Sequence, residues 1–555
     1  MINMKKPLMV DEKSLTDEIS LWEHSEADKG QIYTRNEVVD FMLTIIGLNE
    51  NEDLNNVRIL EPSCGEGEFV VAIAKILINK SNRKPTINWL MGKVLAIDIV
   101  GTSINIAKSK IYKLLIDNGY SELDSKKLLK DWFLRTDFLL EEISPDFTHV
   151  IGNPPYVRIE KIPRRLLSEY RRRFSAMRDR ADLYIPFFEK SLSLLINGGK
   201  LSFICTDRWT KNIYGKSLRK IISDNYSLEV FIDLYGMDVF ERDVMTYPAI
   251  TQIIKENNKP TVLVHEASLT TEESSEILKA VSGKPSSIQV IKGIINDDKA
   301  WLTGSSDEVS LVRKLEQLYP SLEEVGCTVF IGAATGANKT YIVDKQSVDI
   351  ENSRLLPVIT ANELKTGSIQ WQGKYLINTY DGNGVISLEN YPKLAIYLNS
   401  HKEALSNRHV AKKKVDEWFK TIDRVYEYRA KREKLLIPDI SRSPVVVYDK
   451  GIYHPNNSIY YICSNTWNLH ALKVVLLSNV TKIFISIYST KIAKGHLRFQ
   501  AQHLRKLRIP SWDSINDDLK FRMIHAGKLD DIENFTALSC EMYALNNKEK
   551  LVVGD

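Results

Sequence analysis

Short apolar runs alternate with amphipathic patterns along the first half of the chain. The runs predict strands at residues 58–60, 94–97, 149–151, 201–205, 228–232 and 249–254. Apolar positions spaced as on a helix predict helices at residues 69–78, 104–117 and 183–195, the last followed by a turn at 197–199. Strands that alternate with helices are typical of a doubly wound, mostly parallel, Rossmann-like α/β sheet.

The pattern changes after residue 255 and suggests a division of the chain. We expect an N-terminal extension at 1–27, a first domain at 28–255 and an irregular connector at 256–300, where Lys, Pro and Ser are frequent. Residues 301–512 are less periodic and predict a second, mixed α/β domain, and residues 513–555 predict a polar helical tail.

Composition indicates a globular protein. Of the 555 residues, 43% are hydrophobic and 26% are charged. We expect no membrane span, because no run of about 18 apolar residues occurs. We also expect no secretory signal, because the N-terminus lacks an apolar stretch. Five cysteines are scattered without a CxxC pair, which argues against a zinc ribbon or a disulfide framework and fits a reducing cytoplasm. No metal site is expected.

The net charge of +4 hides two basic clusters. Residues 160–180 carry eight basic and three acidic residues, and residues 482–508 carry seven basic residues and no acid. A single run of this kind can be an ordinary solvated face, but two runs favour a polyanionic partner. The candidate phosphate contacts are Arg171, Arg172, Arg173, Lys491, Lys494, Arg498, Arg505 and Arg508.

The first candidate motif follows the first predicted strand. Gly65 and Gly67 stand two apart between that strand and a helix, where missing side chains let the backbone approach a nucleotide-like ligand. Glu61 precedes them, and a carboxylate suits a cationic ligand group better than a pyrophosphate. A plain turn between strand and helix is the alternative interpretation.

Two further acids follow strands or loops in the same half. Asp98 ends the next predicted strand, where such an acid commonly accepts hydrogen bonds from ribose hydroxyls, although a helix N-cap is the alternative. Asp137 stands beside Phe138, a pair that can bind the amino edge and the face of an adenine. The alternative is an ordinary loop acid beside a core Phe.

The most informative segment is Asn153-Pro154-Pro155-Tyr156. The two prolines remove two backbone donors, so this backbone presents carbonyls, and the Asn153 side chain adds another. A pair of acceptors is what an exocyclic amine with two N–H donors requires. A tight Pro-Pro turn with a buried tyrosine is the alternative.

These elements, in this order, resemble the AdoMet-dependent DNA adenine methyltransferases of the TaqI-like gamma class. Asn153 to Tyr156 match the family's amino-methyltransferase signature. Arg35 stands where the family usually has Pro after its N-terminal motif. Further matching segments, which extend the resemblance over about residues 28–512, are 30–34, 181–184, 197–199, 239–241, 332–339 and 489–500.

The resemblance implies methyl transfer from AdoMet to the N6 amine of adenine in duplex DNA, with the target base flipped out. It implies catalytic roles for Asn153, Pro154, Pro155, Tyr156 and Phe240, the two rings stacking on the base. The cofactor would be held by Tyr33, Thr34, Glu61, Ser63, Gly65, Gly67, Asp98, Asp137, Phe138 and Asn153. The second domain would recognise the DNA sequence, and a separate restriction endonuclease would be the partner in a restriction–modification or phage-defence system.

Other functions remain open on the sequence. Methylation of the cytosine exocyclic amine usually employs Ser where Asn153 stands. RNA or protein amine methylation shares the tetrapeptide, and a catalytically dead DNA-binding specificity subunit would keep the basic clusters. A fused nuclease is not expected, since few residues precede the methyltransferase motifs.

Overall fold

The computed structural model describes most of the chain. The described residues are 32–49, 52–79, 84–234, 237–241, 248–265, 267–292, 294–295, 297–302, 306–441, 444–488, 497–498 and 500–554. The chain divides into two compact units, Met1–Thr303 and Gly304–Asp555. Each unit has its own sheets and its own hydrophobic core.

The described part of the first unit is built on one nine-stranded sheet. Its strands are β1 (Ile59–Glu61), β2 (Val94–Asp98), β3 (Phe133–Arg135), β4 (Phe147–Gly152), β5 (Leu195–Thr206), β6 (Ser227–Asp233), β7 (Pro248–Ile254), β8 (Thr261–Val264) and β9 (Gln289–Ile291). They lie in the order β3-β2-β1-β4-β5-β7-β6-β8-β9, and the first five are mutually parallel. β7 runs antiparallel to β5 and β6, and β9 to β8. The predicted mostly parallel α/β class is confirmed.

Helices cover both faces of this sheet. They are α1 (Asn36–Ile46), α2 (Glu68–Asn79), α3 (Ile87–Leu90), α4 (Gly101–Asp117), α5 (Glu122–Trp132), α6 (Arg164–Arg173), α7 (Tyr184–Ser193), α8 (Lys216–Asn225) and α9 (Thr271–Val281). Ile59 joins the core under α1, α2, α4 and α5, whereas Leu60 joins the core under α6, α7 and α8. Successive strand residues point to opposite faces, so these strands need continuous apolar runs, as the sequence has.

The structure differs from the sequence-based expectation in three places of the first unit. β3 was not predicted, because a three-residue edge strand leaves almost no periodic signal. The expected turn at 197–199 lies inside β5, where Gly198 has a φ of +75° and the pairing with β4 shifts its register. Residues 256–300 contain β8, α9 and β9, which continue the sheet and are not an irregular connector.

The second unit is mixed α/β. Its strands are β10 (Cys327–Ile331), β11 (Ile342–Asp344), β12 (Leu355–Ile359), β13 (Lys374–Ile377), β14 (Tyr380–Asp381), β15 (Gly384–Val385), β16 (Lys434–Pro438), β17 (Ile440–Ser441), β18 (Val447–Asp449), β19 (His454–Pro455), β20 (Ile459–Ser464) and β21 (Leu497–Arg498). Two four-stranded sheets have the orders β10-β20-β16-β18 and β11-β13-β12-β19, and β14-β15 and β17-β21 form pairs.

Helices surround these small sheets. They are α10 (Ser306–Leu318), α11 (Asn338–Tyr341), α12 (Pro392–Ser400), α13 (Lys402–Ser406), α14 (His409–Lys413), α15 (Glu427–Ala430), α16 (Leu469–Leu477), α17 (Asn479–Tyr488), α18 (Ala501–Leu504), α19 (Asp517–Leu529), α20 (Phe535–Met542) and α21 (Asn547–Val553). The predicted helical tail packs within this unit: a side chain at Gly527 of α19 would lie 2.0 Å from the His470 carbonyl oxygen of α16.

In the described part of the chain, no single helix is long and apolar enough to cross a membrane. The pair α16 and α17, bent by 63° at their junction, reaches that length and hydropathy together. Most of its side chains are buried within the second unit, as in a core helix pair.

Candidate active site

A cavity opens at the carboxyl ends of three neighbouring parallel strands of the first unit. β1 ends at Glu61, β2 ends at Asp98, and β4 ends just before Asn153. This edge of an open α/β sheet is where such folds bind ligands. The cavity encloses about 920 Å³, counting its open mouth, and is lined by Ile32, Tyr33, Thr34, Glu61, Pro62, Ser63, Cys64, Gly65, Glu68, Phe69, Asp98, Ile99, Val100, Thr136, Asp137, Phe138, Asn153, Pro155, Tyr170, Leu183 and Phe187.

The glycine turn between β1 and α2 forms one wall. Gly65 has a φ of +50°, and its N–H donates to Asp98 Oδ2 at 2.8 Å. Gly67 does not line the cavity. A side chain there would lie 3.0 Å from Ala107 Cβ, so Gly67 allows α2 and α4 to approach each other. The two glycines therefore have different roles, although the sequence suggested one.

Glu61 is the most deeply buried acid of the cavity, with 1% of its surface exposed. Among the described residues, its Oε2 has no hydrogen-bond partner. Burial raises the pKa of Glu61 well above its ordinary value, and the nearby Glu68 and Asp98 raise it further, while the Val70 N–H lowers it. A cation bound here would relieve both the burial and the repulsion.

Asp98 ties the glycine turn to the second strand. Its Oδ2 accepts from Gly65 N, and its Oδ1 accepts from Val100 N at 2.7 Å. The N-cap of α4 is Val100, so Asp98 is not the N-cap residue that the alternative interpretation proposed. Asp98 also lines the cavity.

Asp137 and Phe138 form the opposite wall. Asp137 Oδ2 accepts from the Tyr170 hydroxyl at 2.5 Å, and its Oδ1 accepts from Leu139 N at 2.8 Å. Burial raises the pKa of Asp137. The Phe138 ring is 2% exposed and packs on Phe187 at a centroid distance of 5.1 Å. These contacts hold an acid and an aromatic wall side by side.

Asn153 follows β4 with a fixed side-chain orientation. Its Nδ2 donates to the Ile32 carbonyl oxygen at 2.8 Å and to Thr34 Oγ1 at 3.2 Å. Because a carbonyl can only accept, the amide nitrogen must face Ile32. In the described structure, the buried Oδ1 has no partner. Ser63 Oγ donates to the Asn153 backbone oxygen at 3.1 Å.

Tyr156 and Phe240 meet behind this motif. The Tyr156 hydroxyl donates to the Ile204 carbonyl oxygen at 3.2 Å, and its ring lies edge-on to Phe240 at 6.3 Å between centroids. Phe240 is only 4% exposed and belongs to the core. The structure therefore brings the two predicted aromatic residues together, in a packed environment.

The N-terminal segment 32–35 connects the cavity to the segment that carries Phe240. Thr34 forms an isolated antiparallel bridge with Phe240, and Arg35 N donates to the Val239 carbonyl oxygen at 3.1 Å. The Arg35 guanidinium donates to the Phe240 carbonyl oxygen at 3.1 Å and pairs with Asp238. A proline at position 35 would lack the N–H that donates to Val239. The arginine that stands here in place of the family's proline therefore makes contacts that a proline could not make.

The predicted basic contacts have partners within the chain. Arg172 and Arg173 both pair with the buried Glu169. The hydrogen bond from Arg172 is the main reason that the pKa of Glu169 falls to about 2. Arg171 donates to the Asp179 carbonyl oxygen.

The second predicted cluster is similar where it is described. Arg505 pairs with Glu323 at 3.0 Å, and Arg508 lies 3.5 Å from Glu324. Lys491 and Lys494 lie outside the described residues, and only the backbone of Arg498 is described.

Sequence reasoning missed Glu68 and Tyr170. Tyr170 lies on the arginine-rich helix α6, whose buried positions are Leu166, Glu169 and Tyr170. Their spacing of three to four residues was the available signal, but the charge run concealed it. Within the described ranges, no group of three or more His, Cys, Asp or Glu side chains could hold a metal ion.

Two family models match this chain. Residues 69–240 match the Eco57I restriction-modification methylase, and residues 356–509 match the TaqI-like C-terminal specificity domain. The first match begins in α2 and ends at Phe240, so it includes the segment from Asn153 to Tyr156.

Similar proteins match over nearly the whole length. The type II methyltransferase M.XhoI of Xanthomonas vasicola is 39% identical over 540 residues, covering 95% of this chain and 99% of that protein. M.PaeR7I of Pseudomonas aeruginosa is 39% identical over 536 residues, covering 95% and 93%. M.BstVI of Geobacillus stearothermophilus is 36% identical over 557 residues, covering 96% and 99%.

Solved structures show the same fold at low identity. The Type IIL restriction-modification enzyme MmeI, solved in complex with DNA, has a TM-score of 0.61 and 12% identity, covering 93% of this chain and 75% of that one. The Type ISP enzyme LlaGI has a TM-score of 0.52 and 15% identity, covering 90% and 47%.

Proposed function

The chain belongs to the type II DNA methyltransferases of restriction–modification systems and uses AdoMet as its cofactor. From this membership we propose that it methylates the exocyclic N6 amine of adenine in duplex DNA. The target is a flipped-out base, because an amine paired and stacked inside the duplex is out of reach of the cavity. The second unit supplies the sequence recognition.

The unpartnered Oδ1 of Asn153 is the observation that carries this proposal. Leaving a buried acceptor without a partner costs about 1–3 kcal/mol, so the site spends stability to keep this atom available. The Ile32 carbonyl and Thr34 hydroxyl hold the nitrogen side, which directs the oxygen to whatever enters the motif.

The chemistry needs acceptors because the adenine amine is a weak nucleophile whose lone pair is delocalised into the ring. Asn153 Oδ1 and the Pro154 carbonyl oxygen accept its two hydrogens, which favours a pyramidal nitrogen and directs the lone pair. This is catalysis by orientation and electrostatics, without a covalent intermediate. Bound AdoMet supplies the methyl group on a positively charged sulfur.

The cavity suits that cofactor. The acid cluster of Glu61, Glu68 and Asp98 offers negative charge to a ligand that carries an ammonium and a sulfonium group. We assign Glu61 to the cationic end, Asp98 to the ribose hydroxyls, and Asp137 with Phe138 to the adenine ring. Tyr33, Thr34, Ser63 and Gly65 complete the walls.

Tyr156 and Phe240 are the rings that we propose for stacking on the flipped base. Stacking contributes about 1–3 kcal/mol per base, comparable to the few kcal/mol of unstacking. Since Phe240 is buried against Tyr156, this role requires the two rings to separate when the base enters. A separate cognate endonuclease is the proposed partner, and action on host DNA would take place at the nucleoid in the bacterial cytoplasm.

Identification of the methylated base tests the proposal. Unmethylated plasmid DNA is incubated with the protein and AdoMet, digested to nucleosides and analysed by mass spectrometry. We expect N6-methyladenine from the wild type and from Asn399→Ala, which alters an exposed asparagine of α12, but none from Asn153→Ala. N4-methylcytosine as the product would establish the cytosine alternative. No methylated base at all would indicate a non-catalytic DNA-binding subunit.

A further inference from the structure

One surface of the second unit carries cationic charge that the fold itself does not neutralise. Lys412 and Lys413, at the end of α14, are exposed, and neither has a carboxylate within ion-pair distance among the described residues. The neighbouring Lys414 and Lys420 differ, because both pair with Glu417. Fully solvated, unpaired lysines attract polyanions most readily.

The surface is built on a rigid framework around Arg408, the residue that precedes α14. The Arg408 guanidinium donates to the carbonyl oxygens of Thr335 at 3.0 Å, Trp418 at 2.9 Å and Lys420 at 2.9 Å. It also lies 5.3 Å from the centre of the Tyr341 ring. One side chain thereby fixes α14, the loop around Thr335 and segment 418–420 in a single arrangement.

Ile422 projects from this framework, with 53% of its surface exposed. Its backbone N–H donates to the Thr335 carbonyl oxygen at 3.3 Å. The next residue, Asp423, donates its N–H to the Ala334 carbonyl oxygen at 3.0 Å and accepts from Ala334 N through its carboxylate at 2.8 Å. A side chain at Gly336 would lie 2.7 Å from Ile422 Cδ1, so glycine leaves the space that Ile422 occupies. A single exposed isoleucine is ordinary, but one held this firmly is pre-organised for contact.

We propose that this surface contacts duplex DNA directly. It consists of Lys412, Lys413, Gly336 and Ile422 and is called the 412–422 surface below. This inference rests on the proposed function, since it assigns the DNA contacts of the recognition unit. The lysines neutralise backbone phosphates, and Ile422 enters a groove as an apolar contact to base edges. Gly336 supports this contact by leaving room for the Ile422 side chain.

Charge complementarity favours DNA over a protein partner for this surface. Of the carboxylates beside it, Glu417 pairs with Lys414 and Lys420, and Asp423 accepts from Ala334 N. The exposed Asp416 is the remaining acid between residues 412 and 422, and the two lysines outnumber it. Arg505 and Arg508 are the weaker candidates, because each stands beside a glutamate. A protein interface of ordinary kind would show fewer lysines at its centre.

The first experiment measures the salt dependence of DNA binding. Affinity for a fluorescent duplex of plasmid sequence is determined by anisotropy for wild type, for K412Q/K413Q and for K374Q/K393Q. The control lysines are half-buried Lys374 and exposed Lys393, which pair with Asp344 at 2.7 Å and with Asp349 at 2.6 Å. Loss of two phosphate contacts would reduce the log–log salt slope by about 1.8. Over a fourfold rise in salt, wild-type affinity would then fall about twelvefold more than that of K412Q/K413Q.

The second experiment addresses the apolar contact. Ile422→Ser is compared with Ile396→Ser, which changes an isoleucine that is 73% exposed on α12. We expect Ile422→Ser to reduce the methylation rate of plasmid DNA about tenfold without altering the salt slope, while Ile396→Ser behaves as wild type. Thermal melts confirm that all variants fold.

The outcomes separate this inference from the proposed function. A slope unchanged in K412Q/K413Q, or an equal change in K374Q/K393Q, would overturn the surface whatever base is methylated. Normal methylation by Ile422→Ser would remove the apolar contact. A wild-type product other than N6-methyladenine would overturn the proposed function and leave the binding result valid. Normal DNA binding by all the variants would likewise overturn the proposed DNA contact.

Discussion

Replacing Glu61 by Gln should have opposite effects on cofactor binding and on stability. The change removes one negative charge and nearly preserves the side-chain shape. The Glu61 carboxylate is buried, has one oxygen without a hydrogen-bond partner among the described residues, and lies near Glu68 and Asp98. We therefore expect Glu61→Gln to stabilise the cofactor-free protein at neutral pH. Burial and repulsion make it unfavourable, relative to the unfolded chain, either to keep the Glu61 charge or to protonate the group, whereas Gln is neutral in both states.

Cofactor affinity should fall for the same reason. A charge-assisted hydrogen bond contributes about 1.5–3 kcal/mol, and about 1.4 kcal/mol corresponds to a tenfold change in affinity. Glu61→Gln should thus weaken AdoMet binding by about tenfold to about 150-fold. Glu142→Gln changes an exposed acid of the same unit and should leave affinity unchanged.

The raised pKa of Glu61 adds a pH dependence with a definite sign. Since the folded-state pKa lies above the unfolded value, the contribution of neutral Glu61 to stability is present at low pH and is lost as pH rises through the folded pKa. The cationic cofactor prefers the ionised form, so affinity should increase over the same rise in pH. Below that pKa, binding should release a proton.

Calorimetry in two buffers of different ionisation enthalpy measures both affinity and proton release, and thermal melts at several pH values measure stability. The wild type should release protons on binding AdoMet, and Glu61→Gln should release fewer. Equal affinity and equal proton release in the two proteins would refute the assignment of Glu61 to the cationic end of the cofactor. A lower melting temperature for cofactor-free Glu61→Gln at neutral pH would refute the electrostatic reasoning.

Other residues give sharp expectations. Asn153→Ala should reduce the methylation rate by about 100-fold or more with AdoMet affinity nearly intact, and a variant that kept a tenth of the rate would contradict the acceptor role. Thr34→Val should lower the methyl-transfer rate constant about tenfold in single-turnover assays, whereas Thr34→Ser should remain close to wild type, because only Val lacks the acceptor for Asn153 Nδ2. Phe240→Leu, which keeps apolar volume, should slow a paired duplex more than one with a mismatched target adenine; equal slowing with a lowered melting temperature would make Phe240 a core residue alone.

The centre of the fold could be predicted because its signals are local. Residues 58–60, 94–97 and 149–151 contain short apolar runs. Glu61 and Asp98 follow the first two directly, and Asn153 follows the third after Gly152. In a parallel sheet these ends meet at one edge, so strand prediction was enough to bring the polar residues together. Packing on both faces then required the runs to be continuous, which is the pattern that the sequence has.

The outer strands could not be predicted in the same way. β3, β8 and β9 span only three or four residues each, and a pattern of that length fits a loop equally well. The sequence predicted that Gly67 contacts the cofactor. A glycine indicates that a neighbouring group comes close to the backbone, but the sequence does not show whether that group is a ligand or another helix. The contact with Ala107 supplies the reason, and that residue lies forty positions further along the chain.

The charge that remains available to bind a polyanion was the feature hardest to predict, because acids distant in the sequence can pair with a basic run. The run at 482–508 contains no acid, yet Glu323 and Glu324 come from about 180 residues earlier and stand beside Arg505 and Arg508. Lys412 and Lys413 lie in a segment of mixed charge, but two of its acids, Glu417 and Asp423, are occupied by other groups. What attracts a polyanion is the charge left after folding, because a lysine that already has a carboxylate releases fewer counterions when a phosphate approaches. The formal charge of a segment therefore does not by itself identify the residues that are best prepared to bind DNA.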